Sequence, residues 1–93
     1  MYFVVMGFFK AGAESQVDKF HAEFNEQLSQ HYLRIRIAGP MVDGGRQRGW
    51  LGVLEAKSLD VARSFLRDGP YFKNGLYERY EVFEFPFEVG RLD

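Results

Sequence analysis

The stretch Leu33-Arg34-Ile35-Arg36-Ile37-Ala38-Gly39-Pro40-Met41-Val42-Asp43-Gly44-Gly45 decides how this chain folds. It begins as an alternating strand, with Leu33, Ile35 and Ile37 on one face and Arg34 and Arg36 on the other. Gly39-Pro40 is expected to disturb regular pairing, because proline gives the ladder no donor and is confined to edges, ends and bulges. Asp43-Gly44-Gly45 is a strong hairpin signal. The residues before this stretch read as strand then helix, and those after it as strand, helix, strand.

Upstream, Tyr2 to Phe9 is a short apolar run rich in aromatic and β-branched residues, which predicts a strand covered on both faces. Ser15 and Asp18 resemble a capping box opening a helix. Val17, Phe20, Phe24, Leu28 and His31 then recur at spacings of three and four, one helical stripe that should end near Gln30-His31. Downstream, Arg48 to Ala56 reads as the third strand, with Gly49 and Gly52 marking places where something approaches closely. Ser58 caps a second helix whose core stripe is Leu59, Ala62, Phe65 and Leu66. Asp68-Gly69-Pro70 stops it, and a short turn from Tyr71 to Gly75 leads to a last strand from Leu76 to Phe87.

The order β-α-β-β-α-β predicts an α+β, ferredoxin-like fold: an antiparallel sheet with two helices on one face. All 93 residues form one domain. The chain is 46% hydrophobic and 17% aromatic, more large apolar surface than a two-layer domain of this size easily hides. The other sheet face would carry Phe83, Phe85 and Phe87. A patch of that size marks an interface, so a homodimer through the open sheet face is expected.

Net charge is −1, with 12 basic and 13 acidic residues mixed along the chain, which offers no nucleic-acid footprint. With no cysteine, thiolate catalysis, disulfides and Cys-based metal sites are excluded. The opening apolar run is too short for a membrane span and no basic region precedes it, so a soluble, cytoplasmic protein without membrane partners is expected. The two histidines, ten residues apart, give no metal-ligand spacing, and no dinucleotide or phosphate-binding glycine pattern is present, so no cofactor is expected.

His21 is the best candidate for chemistry. It lies four residues after Val17 and three before Phe24, at the border of the apolar stripe. Imidazole is the side chain that most readily serves as acid or base near neutral pH. Arg36 is a candidate to hold a carboxylate, if its strand face looks into a cleft. Tyr71, Tyr77 and Trp50 are candidates to line a pocket.

Over nearly its whole length the chain resembles the YciI-like (YCII-related) family, within the dimeric α+β barrel superfamily. The resemblance rests on Tyr2-Phe3-Val4-Val5, His21, Ala38-Gly39-Pro40, Asp43-Gly44, Ser58-Leu59, Asp68 with Pro70-Tyr71, and Gly75-Leu76-Tyr77 before Tyr80-Glu81-Val82. It implies dimers whose sheets pack face to face, and a cleft with a His from the first helix and an Asp after the second, here His21 and Asp68. Beside such a His, Asp68 is a candidate to orient the imidazole, and Arg36, Gly39, Pro40 and Tyr71 are candidates to contact the substrate. The chain departs from the family pattern in the Gly69 inserted between Asp68 and Pro70, and in Asp18, where an Arg is usual three residues before the His.

The function expected is a small cofactor-independent enzyme acting on a small anionic organic acid by proton transfer, isomerisation or elimination. The alternatives are a ligand-binding module or a purely structural dimer of the same shape. Polar groups that fail to converge in the pocket would favour the former, and a pocket filled by side chains the latter.

Overall fold

A computed structural model describes residues 1–29 and 34–90. The elements are β1 (Tyr2–Phe9), α1 (Glu14–Leu28), β2 (Arg34–Asp43), β3 (Arg46–Glu55), α2 (Leu59–Arg67), a short α3 (Pro70–Lys73) and β4 (Tyr77–Glu84). The sheet order is β2-β3-β1-β4 and every pairing is antiparallel. This is the expected α+β, ferredoxin-like arrangement. The expectations for Leu33 and His31 lie outside the described residues.

Local chemistry accounts for most element ends. The Ser58 hydroxyl accepts a hydrogen bond from the Val61 N–H at 3.3 Å, capping α2 as predicted. The Ser15–Asp18 box does not form. Ala13 occupies the cap position of α1 with no side-chain bond, and the helix begins at Glu14, before Ser15 is reached. At its other end α1 stops at Leu28, with Ser29 as its cap, slightly earlier than the stripe suggested. Pro70 takes the first position of α3, where its missing N–H costs nothing. Gly44 and Gly45 have φ of 61° and 77°, the pair of positive values that a two-residue hairpin turn needs.

Gly39-Pro40 does not interrupt pairing. Gly39 opposes Leu51 and Pro40 opposes Trp50 in continuous register. The strand is at the sheet edge, the one setting where a residue without an N–H is tolerated. The irregularities fall on either side. Ile35 pairs with Leu54 but Ile37 pairs with Val53, so Arg36 is an extra residue. Met41 pairs with Gly49 but Val42 with Gln47, so Arg48 is another. The first bulge breaks the predicted alternation: Ile35 packs on the core, whereas Ile37 is 55% exposed.

The core lies between the sheet and the helices. Phe3, Val5, Trp50 and Leu54 meet Val17 and Phe24 of α1 and Ala62, Phe65 and Leu66 of α2. Tyr71 of α3 completes it, 2% exposed. Gly52 of β3 makes room for this packing. A Cβ at Gly52 would stand 2.5 Å from the indole of Trp50, which lies along its own strand. At Gly49 a Cβ would meet the Gly7 carbonyl.

The opposite face carries no helix. The registers put Val4, Met6, Phe8, Leu51, Val53 and Phe83 on that side, and Phe83 is 51% exposed. β1 is therefore covered on one face by this chain alone, not on both. The last strand ends at Glu84, short of the predicted Phe87. Phe85 and Phe87 nevertheless stay with the sheet. The Phe85 N–H donates to the Tyr2 carbonyl at 2.8 Å, and Phe87 packs edge-on against Tyr2.

Gly52→Ala should destabilise the protein by about 1–3 kcal/mol, the usual cost of overpacking, because Trp50 must leave its seat. Urea unfolding followed by circular dichroism measures this. An unchanged midpoint would mean that the indole has room to move.

Candidate active site

A cavity of about 230 Å³ opens between α1 and the β2–β3 end of the sheet. Alpha-helical periodicity supplies one wall: His21, Phe24, Asn25 and Leu28 recur at spacings of three and four on α1. The Ala38-Gly39-Pro40 segment of the edge strand supplies another. Trp50 and Gln47 come from β3, and Tyr71 from α3.

The apolar surfaces are held by aromatic packing. Phe24 stands edge-on to Trp50 with ring centres 4.9 Å apart, and tilts against Tyr71 at 4.5 Å. Trp50 leans in turn on Phe65 at 5.9 Å. These rings are buried and fix one another.

The polar groups are free. The side chains of His21, Asn25 and Gln47 make no hydrogen bond or ion pair among the described residues. Tyr71 adds a phenol whose ionisation is opposed by burial first and by the charge of Asp18 second, so it remains a neutral hydroxyl at physiological pH. Tyr77, edge-on to Tyr71 at 6.2 Å, is pushed up further, again mainly by burial.

Gln47 owes its position to the bulge at Arg48. Trp50 and Gly52 face the helices, and strict alternation would turn residue 47 to the opposite side. The extra residue restores it to the helix side, opposite Val42. Bulges are a recurrent means of re-aiming a side chain beside a site.

Of the residues read from sequence, His21, Gly39, Pro40 and Tyr71 line this one cavity. Asp68 and Arg36 do not. Asp68 is exposed at the C-cap of α2, its N–H bonded to the Ser64 carbonyl at 2.9 Å. It makes no hydrogen bond or ion pair with His21. The inserted Gly69 is pressed against α1: a Cβ there would stand 2.7 Å from Oε1 of Gln27, whose Nε2 donates to the Phe65 carbonyl at 2.7 Å.

Arg36 lies on the face opposite Ile35, away from the cavity. Its guanidinium donates to Glu55 at 2.9 Å, with Arg34 3.8 Å from the same oxygen. Glu55 lies on the open face by its register. Sequence reasoning missed Asn25 and Gln47. Asn25 was signalled by its place one turn after His21, and Gln47 by nothing, since the bulge has no sequence mark. No group of three His, Asp or Glu able to hold a metal occurs among the described residues.

The YCII-related domain, as a family model, matches residues 1–86. No curated protein matches the chain. Among solved structures, 5-chloro-2-hydroxyhydroquinone dehydrochlorinase (TftG) from Burkholderia phenoliruptrix, in complex with 2,5-dihydroxybenzoquinone, superposes with a TM-score of 0.84. Identity is 21% over 95% of this chain and 96% of that one. SnoaB from Streptomyces nogalater, a cofactor-independent oxygenase, superposes with a TM-score of 0.54 at 12% identity, over 97% and 96% of the two chains. At these identities the likeness is one of fold.

The two raised phenols make stability fall at alkaline pH. Each binds its proton more tightly folded than unfolded, so its contribution is complete below the unfolded pKa of about 10 and is lost as pH rises above it. Each group adds a slope of up to about 1.4 kcal/mol per pH unit. Tyr77→Phe should flatten the fall in urea midpoint between pH 9 and 11 relative to the unmodified protein. A slope that does not change would contradict the buried, protonated phenol.

Proposed function

This chain belongs to the YCII-related domain family, and we propose that it is a cofactor-independent enzyme that moves a proton on a small ring compound held beside His21. One observation carries the reading: three polar side chains without a hydrogen bond or ion pair among the described residues, His21, Asn25 and Gln47, open into the same aromatic-walled cavity. His21 and Asn25 stand exposed at its mouth and Gln47 is half-buried. Groups left open in a concave apolar site are what a ligand uses.

In the proposed reaction His21 accepts a proton from a ring hydroxyl or an activated carbon. The electron pair left behind moves through the ring. It either takes the proton back at another position, which is isomerisation, or expels a leaving group, which is elimination. Neither outcome needs an electron acceptor. The dehydrochlorinase with the same fold makes elimination the first reaction to test.

The substrate's polar groups are hydroxyl or carbonyl in this proposal, a change from the anionic acid expected from sequence. No Arg or Lys lines the cavity among the described residues, and Arg36 is held by Glu55. Asp68 and Arg36 are accordingly left out of the site. Gly39, Pro40 and Tyr71 are kept as substrate-contacting residues.

The proposal includes a homodimer through the open sheet face. Its support is the apolar surface described above, with Ile37 and Phe83 each more than half exposed. The Arg34–Glu55–Arg36 cluster stands on the same side.

His21 is exposed and makes no hydrogen bond or ion pair among the described residues, so His21→Ala should leave the melting temperature within about 2 °C, as for an ordinary surface substitution. It should abolish chloride release from a chlorinated hydroxyhydroquinone. No release and no binding by the unmodified protein would remove the enzymatic reading for this substrate class. For the dimer, sedimentation at micromolar concentration should give twice the 10.8 kDa chain mass, and Phe83→Lys should shift it to monomer. A monomer before mutation would refute the interface.

A further inference from the structure

We infer that Gln47 is the residue by which this site selects its substrate, by reading a second oxygen on the ring, across from the one His21 addresses. The inference rests on the reading of the cavity as a site for a small ring compound, and it deepens that reading.

Size sets the first limit. A dry cavity of about 150 Å³ takes one unsubstituted benzene ring, and sites for drug-sized ligands begin near 300 Å³. The 230 Å³ found here lies between them, room for one ring with a few substituents. The walls suit such a ring. Trp50 and Tyr71 are locked by their aromatic neighbours and offer flat apolar surface.

Chemistry sets the second limit. His21 and Asn25 reach the cavity from α1, and Gln47 reaches it from β3. One polar wall is therefore helical and the other belongs to the sheet. A ring between them meets His21 on one side and an amide on the other. The amide of Gln47 has both a donor and an acceptor and no partner among the described residues. A ring with a single hydroxyl satisfies one wall only, whereas a ring oxygenated at both ends satisfies both.

Backbone design supports the same residue. The bulge at Arg48 is one of two in the β2–β3 ladder, and its effect is to bring Gln47 to the helix side. Gly44 and Gly45 already close the hairpin, and nothing in the turn requires an extra residue in β3. A polar site that loses its complementary group on the ligand discriminates more sharply than an apolar one, because its own group is left unpaired.

The test compares hydroquinone, oxygenated at both ends of the ring, with phenol, using NMR titration of the folded chain. The unmodified protein should bind hydroquinone more tightly than phenol. Gln47→Leu should weaken hydroquinone roughly 3- to 10-fold, the worth of a neutral hydrogen bond, and leave phenol within about 2-fold. Gln47→Glu, nearly the same shape, keeps an acceptor for the second hydroxyl and should retain the preference, and it secures the comparison if the leucine variant does not fold. Hydroquinone binding with an unchanged preference in Gln47→Leu would overturn the role of Gln47 and leave the cavity reading standing. Loss of the preference in Gln47→Glu would also count against it. Failure of the unmodified protein to bind either ring would overturn both.

Discussion

The indole of Trp50 can lie along β3 only because residue 52 has no side chain. Much of the interior follows from that seat. Phe24 stands on one side of the indole and Phe65 on another, so both long helices take their position from it. Tyr71 then packs on Phe24, bringing the short helix after α2 into the same layer. The ring cluster is also a wall of the cavity. Core packing and site geometry are thus one set of contacts here, and a change to either is felt by the other.

That coupling explains why a small domain can hold an open, partly polar cavity. A chain of 93 residues has little core to spare, and an empty space ordinarily costs stability. Here the aromatic residues around the space are fixed by each other. The polar side chains at its mouth remain in reach of water, so an empty site does not leave them stranded.

The fold was legible in the sequence because its signals are local. Ser58 caps, Gly44-Gly45 turns, and the stripe Val17, Phe20, Phe24, Leu28 marks a buried helix face, each within a few residues. The site was legible only in part, for a physical reason. The periodicity of its helix placed His21, whereas Gly39, Pro40 and Tyr71 were named beside the family resemblance and not from any period. Gln47 sits beside a bulge, where one uncounted residue reverses the parity of the strand; Arg36 keeps its expected face, but that face looks toward Glu55 and not into the cavity. Asp68 was judged from its place at a helix end. Which way such a residue turns depends on the next element, here on Gly69 held against Gln27.

The bulges bear on how copies of this chain meet. Each outer strand carries one: Arg36 is the extra residue in β2, and Glu78 is skipped in β4 between the partners of Phe8 and Phe9. Pro40 further removes a donor from the β2 ladder. An edge so interrupted cannot zip continuously onto another edge, and both extra residues are charged. The protein presents a broad apolar face yet denies neighbouring chains a flat border for open-ended strand addition. A face-to-face contact of the proposed kind would close after two copies, whereas contact through the borders would grow into a filament. Irregular outer strands of this kind hinder open-ended edge pairing, a service separate from anything the cavity does.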